Sequence, residues 1–501
     1  MPHLKPTEIL DLAIIGGGIN GSGCAAEASL RGLSVVLCER GDLGSQTSSA
    51  SSKLIHGGLR YLEQCDFLLV KHALDERQRL LNLAPYLVKP LKFIIPQTPS
   101  TRPSWLIRLG LFIYDYLSFK NQLPHHQTLT RLKYPNDFLP LKAAYQKGFS
   151  YYDAHTEDSR LVLVNALQAK KHGATILTQT EVINIEAHQN FWELTLRSKD
   201  NQTQTIRAKA LINAAGACVQ HINQLAGLPA RYQTTLIQGT HIIVPRWYSG
   251  EQAYLLQHLD KRVIFVIPYQ TDYTLIGTTE TTFTGDPLAI QAQPSEVDYL
   301  LQTIQHFFNH ALCKKDILHV TSGVRTLVSQ AKNPRQMSRD WAYDYAVTPL
   351  PYVSIYSGKL TTYRKLSEIV LAHLAPHFPN IQPSATAHTP LPGSTYENLS
   401  FDEYKAYAEK KYAWLAAETR QRYLYTYGTR TEDFLRHAAS TEDLGVAFGP
   451  TVYQIEIDYL IREEWVTHIE DILWRRTKIG LTLSRENIER LKSHYQDKIV
   501  F

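Results

Sequence analysis

Five short segments carry the side chains that could do chemistry. Ser322-Gly323-Val324-Arg325 puts an arginine after a strand-like stretch and a glycine. Gly358-Lys359-Leu360-Thr361-Thr362 follows another such stretch and opens a helical pattern, so its threonines read as caps. The glycine and lysine before them turn a plain cap into a helix start suited to an anion or a carbonyl oxygen. Arg60 in Gly57-Gly58-Leu59-Arg60 and Arg339 in Ser338-Arg339-Asp340 are further basic candidates, Arg339 the weaker. If these cations converge they form a phosphate clamp, because a guanidinium grips phosphate oxygens with two parallel hydrogen bonds. His241, in Gln238-Gly239-Thr240-His241-Ile242, begins an apolar strand. A histidine there is either a satisfied core residue or a base titrating near neutral pH. The other histidines show no metal-ligand spacing, so no metal is expected.

The element that positions these groups is the stretch 11–39. The apolar run Leu12–Ile15 breaks into Gly16-Gly17-Gly18-Ile19-Asn20-Gly21, an Ala-rich helix follows, and a second apolar run from Leu33 closes on Cys38-Glu39. Strand, glycine turn, helix, strand and terminal acid make a dinucleotide-binding βαβ unit. Gly16 allows the tight turn, Gly18 the approach of a pyrophosphate, and Gly21 close helix–strand packing. Glu39 stands where an acid accepts a ribose hydroxyl. The Ser-rich loop 41–64, which contains Ser51 and Ser52, leads out of the unit and reads as cofactor-lining.

At 501 residues the chain calls for more than one domain. The net charge of +5 gives no nucleic-acid signature and suits an anionic substrate or a loose contact with an anionic membrane. Five cysteines without a CxxC pair fit a reducing compartment. The N-terminus lacks a signal-peptide pattern, and no run reaches the ~20 apolar residues needed to span a bilayer. Residues 102–120 instead read as a helix with Trp105, Leu106, Leu109, Phe112 and Ile113 on one face and Arg102, Arg108 and Lys120 beside it. Such a helix is either core or lies in a membrane interface.

The pattern predicts an α/β fold: a doubly wound dinucleotide domain, an inserted antiparallel-sheet substrate domain and a helical C-terminal domain. The oxidoreductase region is expected at 1–385. Within it the discontinuous nucleotide domain covers roughly 8–80, 150–225 and 315–375, and the substrate domain 81–149 and 226–314. Residues 386–501 form the C-terminal domain, after a Pro-rich linker at 376–392. The apolar strand Leu211–Ala215, ending at Gly216, permits close backbone approach beside the first glycine turn.

DLAIIGGGINGSG, TSSASSKLIHGGLRYLE, TSGVR, SGKLTTYRKL and EEWVTHIEDILWRRTK together resemble the FAD-dependent, respiratory glycerol-3-phosphate dehydrogenases, over about residues 9–485. The resemblance implies oxidation of sn-glycerol 3-phosphate to dihydroxyacetone phosphate by hydride transfer to FAD, with electrons passed to a membrane quinone. It implies FAD binding by Gly16, Gly18, Gly21, Glu39, Ser51, Ser52, Gly216, Gly358, Leu360 and Thr361, with Arg60, His241, Arg325 and Lys359 facing the substrate. It also implies peripheral attachment at the cytoplasmic face of the inner (plasma) membrane; a homodimer stays open. The rival readings are an oxidase that uses oxygen and another FAD-dependent 2-hydroxy-compound or amine oxidoreductase of the same fold. The chain departs from the family pattern at Thr326 (where proline is usual), at Ala217-Cys218 (Pro-Trp) and at Ser357 (glycine).

Overall fold

The computed structural model describes residues 8–98, 102–118, 120–229, 231–258, 260, 262–328 and 341–500. The glycine turn forms as the spacing requires. Strand Ile9–Ile15 pairs in parallel with Val35–Cys38 on one side and Thr203–Asn213 on the other, and helix Ile19–Leu30 runs between them. Among the described residues this sheet continues to Thr175–Leu177 at one edge and to Tyr352–Ser357 and Ala342–Ala346 at the other. The strands at its centre are buried apolar runs, as parallel strands covered on both faces must be. Gly16 adopts a left-handed φ of +107°, and a Cβ on Gly21 would lie 1.8 Å from the Gly16 carbonyl oxygen. Both positions therefore require glycine.

The second sheet is largely antiparallel. Its strands run Thr281–Phe283, Thr234–Pro245, Tyr273–Gly277, Val263–Tyr269, Ala253–Gln257, Lys89–Pro96, Lys147–His155 and Leu54–Ile55. Helix Pro294–Phe307 covers it and buries Leu300, Ile304 and Phe307.

Sheet membership moves three segments relative to the sequence reading. Residues 315–328 were expected to re-enter the nucleotide domain, but His319–Val328 pairs antiparallel with Thr234–Pro245, from Ile243 opposite His319 to Thr234 opposite Val328. Only Gly323, Val324, Leu327 and Val328 are buried along this strand, unlike the fully buried Tyr352–Ser357. Leu54–Ile55 and the Ser150–His155 part of strand Lys147–His155 likewise belong to the second sheet.

The Pro-rich stretch is not a free linker. Ser384 and Thr386 donate to Glu27, and Arg31 Nε donates to the Gln382 carbonyl, so the segment is fastened along the first helix. Beyond it, the helices from Phe401 to Tyr495 and one small hairpin share a continuous core with the nucleotide domain. Asp42, just past Glu39, is buried and accepts from Arg475 Nε and from both terminal nitrogens of Arg476, each at 2.6 Å. The C-terminal arginine pair thereby clamps the nucleotide loop.

Candidate functional site

A cavity of about 430 Å³ opens where the two sheets meet, within the range of small-molecule and cofactor sites. The glycine turn forms one end. Gly18 caps the first helix without a side chain, and no acidic residue stands in its first turn, so the helix start favours an anion. Ser48 Oγ accepts the Ile19 N–H at 3.0 Å and closes the turn from the loop side. Glu39 lines the same end; its carboxylate accepts from Gly17 N at 2.6 Å and Gly41 N at 2.7 Å. Burial raises its pKa against the pull of these two N–H groups.

The second helix start converges on the first. A Cβ on Gly358 would lie 2.7 Å from the Asn20 amide, so glycine lets the two segments touch. Thr361 Oγ1 accepts from His56 N at 3.1 Å, tying this turn to the Ser-rich loop. Between them Lys359 Nζ is buried with no hydrogen-bond partner, 4.2 Å from the Tyr61 ring centroid. A buried ammonium left unpaired is costly unless a ligand supplies an acceptor.

The second sheet forms the roof. His241 is buried on the strand between Tyr273–Gly277 and His319–Val328, opposite Gly277 and Thr321. A Cβ on Gly277 would come within 2.2 Å of the imidazole Cδ2, so that glycine makes room for the ring. The imidazole Nε2 lies 2.9 Å from Ser52 Oγ, and Nδ1 has no partner. Burial, reinforced by the charges of Lys53 and Arg325, lowers its pKa to about 3. The ring is therefore neutral and able to accept a proton, but its affinity is far below that of free histidine until an anion enters. Arg325 Nη2 donates to Glu280 at 3.4 Å, with the guanidinium partly exposed along the cavity wall.

Of the residues singled out in the sequence, Gly16, Gly18, Glu39, Ser51, Ser52, Gly216, His241, Arg325, Gly358, Lys359, Leu360 and Thr361 all line this cavity. Gly21 lies behind the turn as a packing glycine. Arg60 is not on the lining; it belongs to the short helical turn Leu59–Gln64, which presents Tyr61 instead. Arg339 lies outside the described residues. Two groups escaped the sequence reading. Lys53, with a left-handed φ of 58°, is buried and paired with Asp158 at 2.5 Å. Asp158 also accepts from Ser51 N and Ser51 Oγ, which fixes the loop presenting Ser52 to His241. Their separation of more than a hundred positions hides the pair from any local pattern.

The chain matches the model of the FAD dependent oxidoreductase family over residues 11–341, and that of the C-terminal domain of alpha-glycerophosphate oxidase over 384–494. A glycerol-3-phosphate dehydrogenase of Pseudomonas aeruginosa is 44% identical over 501 residues, covering 99% of this chain and 97% of its own. The chain belongs to the FAD-dependent glycerol-3-phosphate dehydrogenase family. Its cofactor is FAD, and the bare helix start, the glycine cradle and the unpaired Lys359 ammonium fit that group. A D-erythritol 1-phosphate dehydrogenase of Brucella abortus is 42% identical over 481 residues, covering 95% of this chain and 96% of its own. Among solved structures, a glycerol-3-phosphate dehydrogenase from Bacillus halodurans complexed with FAD aligns over 98% of this chain and 95% of its own, with a TM-score of 0.76. At 24% identity that likeness speaks for the fold. Thr326, Ala217, Cys218 and Ser357, the positions set apart in the sequence, line the same cavity as His241, Arg325 and Lys359.

Proposed function

We propose that the protein oxidises sn-glycerol 3-phosphate to dihydroxyacetone phosphate and passes the electrons to a membrane quinone. Bound FAD supplies the two-electron acceptor. Gly16, Gly18, Gly21, Glu39, Ser51, Ser52, Gly216, Gly358, Leu360 and Thr361 hold it, within a nucleotide domain made discontinuous by the inserted sheet. The observation that carries the reading is the joint presence of a neutral histidine, an arginine and an unpaired lysine ammonium in one cavity. His241 takes the C2 hydroxyl proton at Nε2 and Arg325 grips the phosphate with its planar fork. Lys359 holds an electron-rich oxygen of substrate or cofactor. The substrate dianion raises the proton affinity of His241 on arrival, offsetting what burial removes.

The quinone acceptor implies a seat at the bilayer. Among the described residues no helix is long and apolar enough to cross a membrane. Helix Ser104–Tyr116 supports peripheral contact. It buries Leu111, Tyr114 and Asp115 on its inner side and exposes Trp105, Leu109, Phe112 and Tyr116 on the outer, so the helix serves core and surface at once. We place this face against the cytoplasmic leaflet of the inner membrane.

A steady-state panel tests the proposal: glycerol 3-phosphate, erythritol 1-phosphate and glycerol, each with a short-chain quinone or with oxygen. Turnover is expected with glycerol 3-phosphate and quinone. A preference for erythritol 1-phosphate would move the substrate to that of the Brucella relative, and peroxide formation at the same rate would make the protein an oxidase.

A further inference from the structure

Behind the roof of the cofactor cavity lies a second cavity, of about 220 Å³. Ser51 and His241 line both and so form the partition between them. On the far side stand His319, Lys53 and Tyr269, with Trp474, Arg475 and Lys478 from the C-terminal domain. Strand register explains the placement. His241 faces Thr321 and Ile243 faces His319 on the neighbouring strand, so the two histidines share one face of the sheet, two positions apart. His319 stacks on Trp474 with ring centroids 3.9 Å apart. Lys478 Nζ donates to the Trp474 carbonyl and reaches Ser159 Oγ at 3.4 Å and Glu157 at 3.7 Å. Exposed Glu470 also lines the cavity and gives it a solvent-facing rim.

The partition is asymmetric. Nε2 of His241 meets Ser52, which lines only the cofactor cavity, whereas Nδ1 has no partner in the protein. We propose that the second cavity is the proton exit of the reaction: the proton taken by His241 leaves through water to His319 and Lys478, and from there to solvent. The inference rests on His241 being the base, as proposed above. The balance is simple. The alcohol loses a hydride to the cofactor and its hydroxyl proton to Nε2; the imidazolium gives up its Nδ1 proton to a cavity water. Once product has left, the Nε2 proton passes by Ser52 to water of the cofactor cavity as a water of the second cavity reprotonates Nδ1, which restores the Nδ1–H tautomer. The volume holds several waters, each of which needs only about 10–15 Å³.

The charges around the path favour outward flow. Lys53 and Arg325 face His241, with Asp158 opposing them. Lys478 and Lys53 face His319, and Glu157, Asp158 and Arg475 surround Lys478. A proton held on His241 is repelled by this set. His319, held neutral by burial at a pKa of about 4, takes a proton only in passing. Lys478, at about 8, exchanges protons near neutral pH.

The test is rapid anaerobic mixing of the FAD-loaded enzyme with glycerol 3-phosphate, following loss of the visible flavin band in wild type, His319→Ala and Lys478→Met. His319→Ala is expected to bleach roughly tenfold or more slowly, with substrate affinity within about twofold of wild type. Added imidazole, filling the space beside Trp474, should restore most of the rate. Lys478→Met should move the pH dependence of bleaching. Unchanged rates in both variants, or a slow rate that imidazole does not rescue, overturn the proposal. Nitrogen-15 NMR of histidine-labelled wild-type protein gives a reading independent of turnover and of variant folding. His241 is expected as the Nδ1–H tautomer with a solvent-exchanging proton, and an Nε2–H tautomer would refute the exit. If glycerol 3-phosphate fails to bleach wild type at all, the substrate assignment falls, while the tautomer still decides the exit.

Discussion

Replacing Trp105 and Phe112 with serine should detach the protein from lipid while leaving the fold and its cofactor in place. Trp105 is 66% exposed and Phe112 53% exposed on the outer face of helix Ser104–Tyr116. Full burial of such side chains stabilises by about 1.5–3 kcal/mol each, so inserting the exposed fractions of both contributes about 2–3 kcal/mol. That corresponds to a 30- to 100-fold loss of partitioning, since about 1.4 kcal/mol is tenfold. Exposed Arg108 and Lys120 add about 1 kcal/mol each near an anionic surface. Arg102 adds little, because Glu63 already pairs with it through two hydrogen bonds of 2.7 and 2.8 Å. Co-sedimentation with anionic vesicles measures the loss, and raising salt should weaken the wild-type interaction too. Because both side chains face solvent, the melting temperature and FAD content should barely change. Equal partitioning of variant and wild type would refute the anchor. A variant that loses FAD or unfolds would mean the face is core.

Three substitutions and one chemical test probe the rest. Arg325→Lys keeps the charge but loses the fork, so KM for glycerol 3-phosphate should rise far more than KM for glycerol; equal losses on both would remove Arg325 from the phosphate site. Asp42→Ala leaves both terminal nitrogens of the buried Arg476 guanidinium without their carboxylate, and chemical denaturation should show a loss of about 3–5 kcal/mol. Burial lowers the pKa of His155 to about 4 and of His241 to about 3, from 6.5. Below pH 6.5 the unfolded chain binds protons that the native state refuses, so stability should fall towards pH 4. The slope is up to about 1.4 kcal/mol per pH unit per histidine, and a thermal melt of His155→Asn should show a shallower one. FAD should be held without a covalent bond, although His56 and Cys218 both line the cavity; acid precipitation should leave a colourless pellet, and a yellow one would contradict this.

The parts legible in the sequence are those fixed by local sterics. Gly16 and Gly21 announce the nucleotide turn because no other residue tolerates that φ or that contact. Gly358 and Lys359 announce the second helix start, but the threonines do not cap it: Thr362 makes no side-chain capping bond and Thr361 bonds the His56 backbone instead. What stayed hidden depends on pairing across long stretches of chain. His319–Val328 reads as just another strand, and only its register beside Thr234–Pro245 reveals the sheet it joins. The Lys53–Asp158 pair and the clamp of Asp42 by Arg475 and Arg476 join residues more than a hundred positions apart. Arg60 misled for a local reason. Its segment was correctly tied to the site, but the local turn points Tyr61 inward.

The central claim is that this cavity oxidises glycerol 3-phosphate with FAD, using His241 as base. Anaerobic titration of the purified holoenzyme with glycerol 3-phosphate, followed at the visible flavin band, tests it most directly. One equivalent should bleach the wild-type flavin, and His241→Ala should retain FAD yet bleach slower by about 10²–10⁴-fold. Bleaching of the His241→Ala enzyme at the wild-type rate across neutral pH, or no bleaching of wild type by glycerol 3-phosphate, would contradict the account.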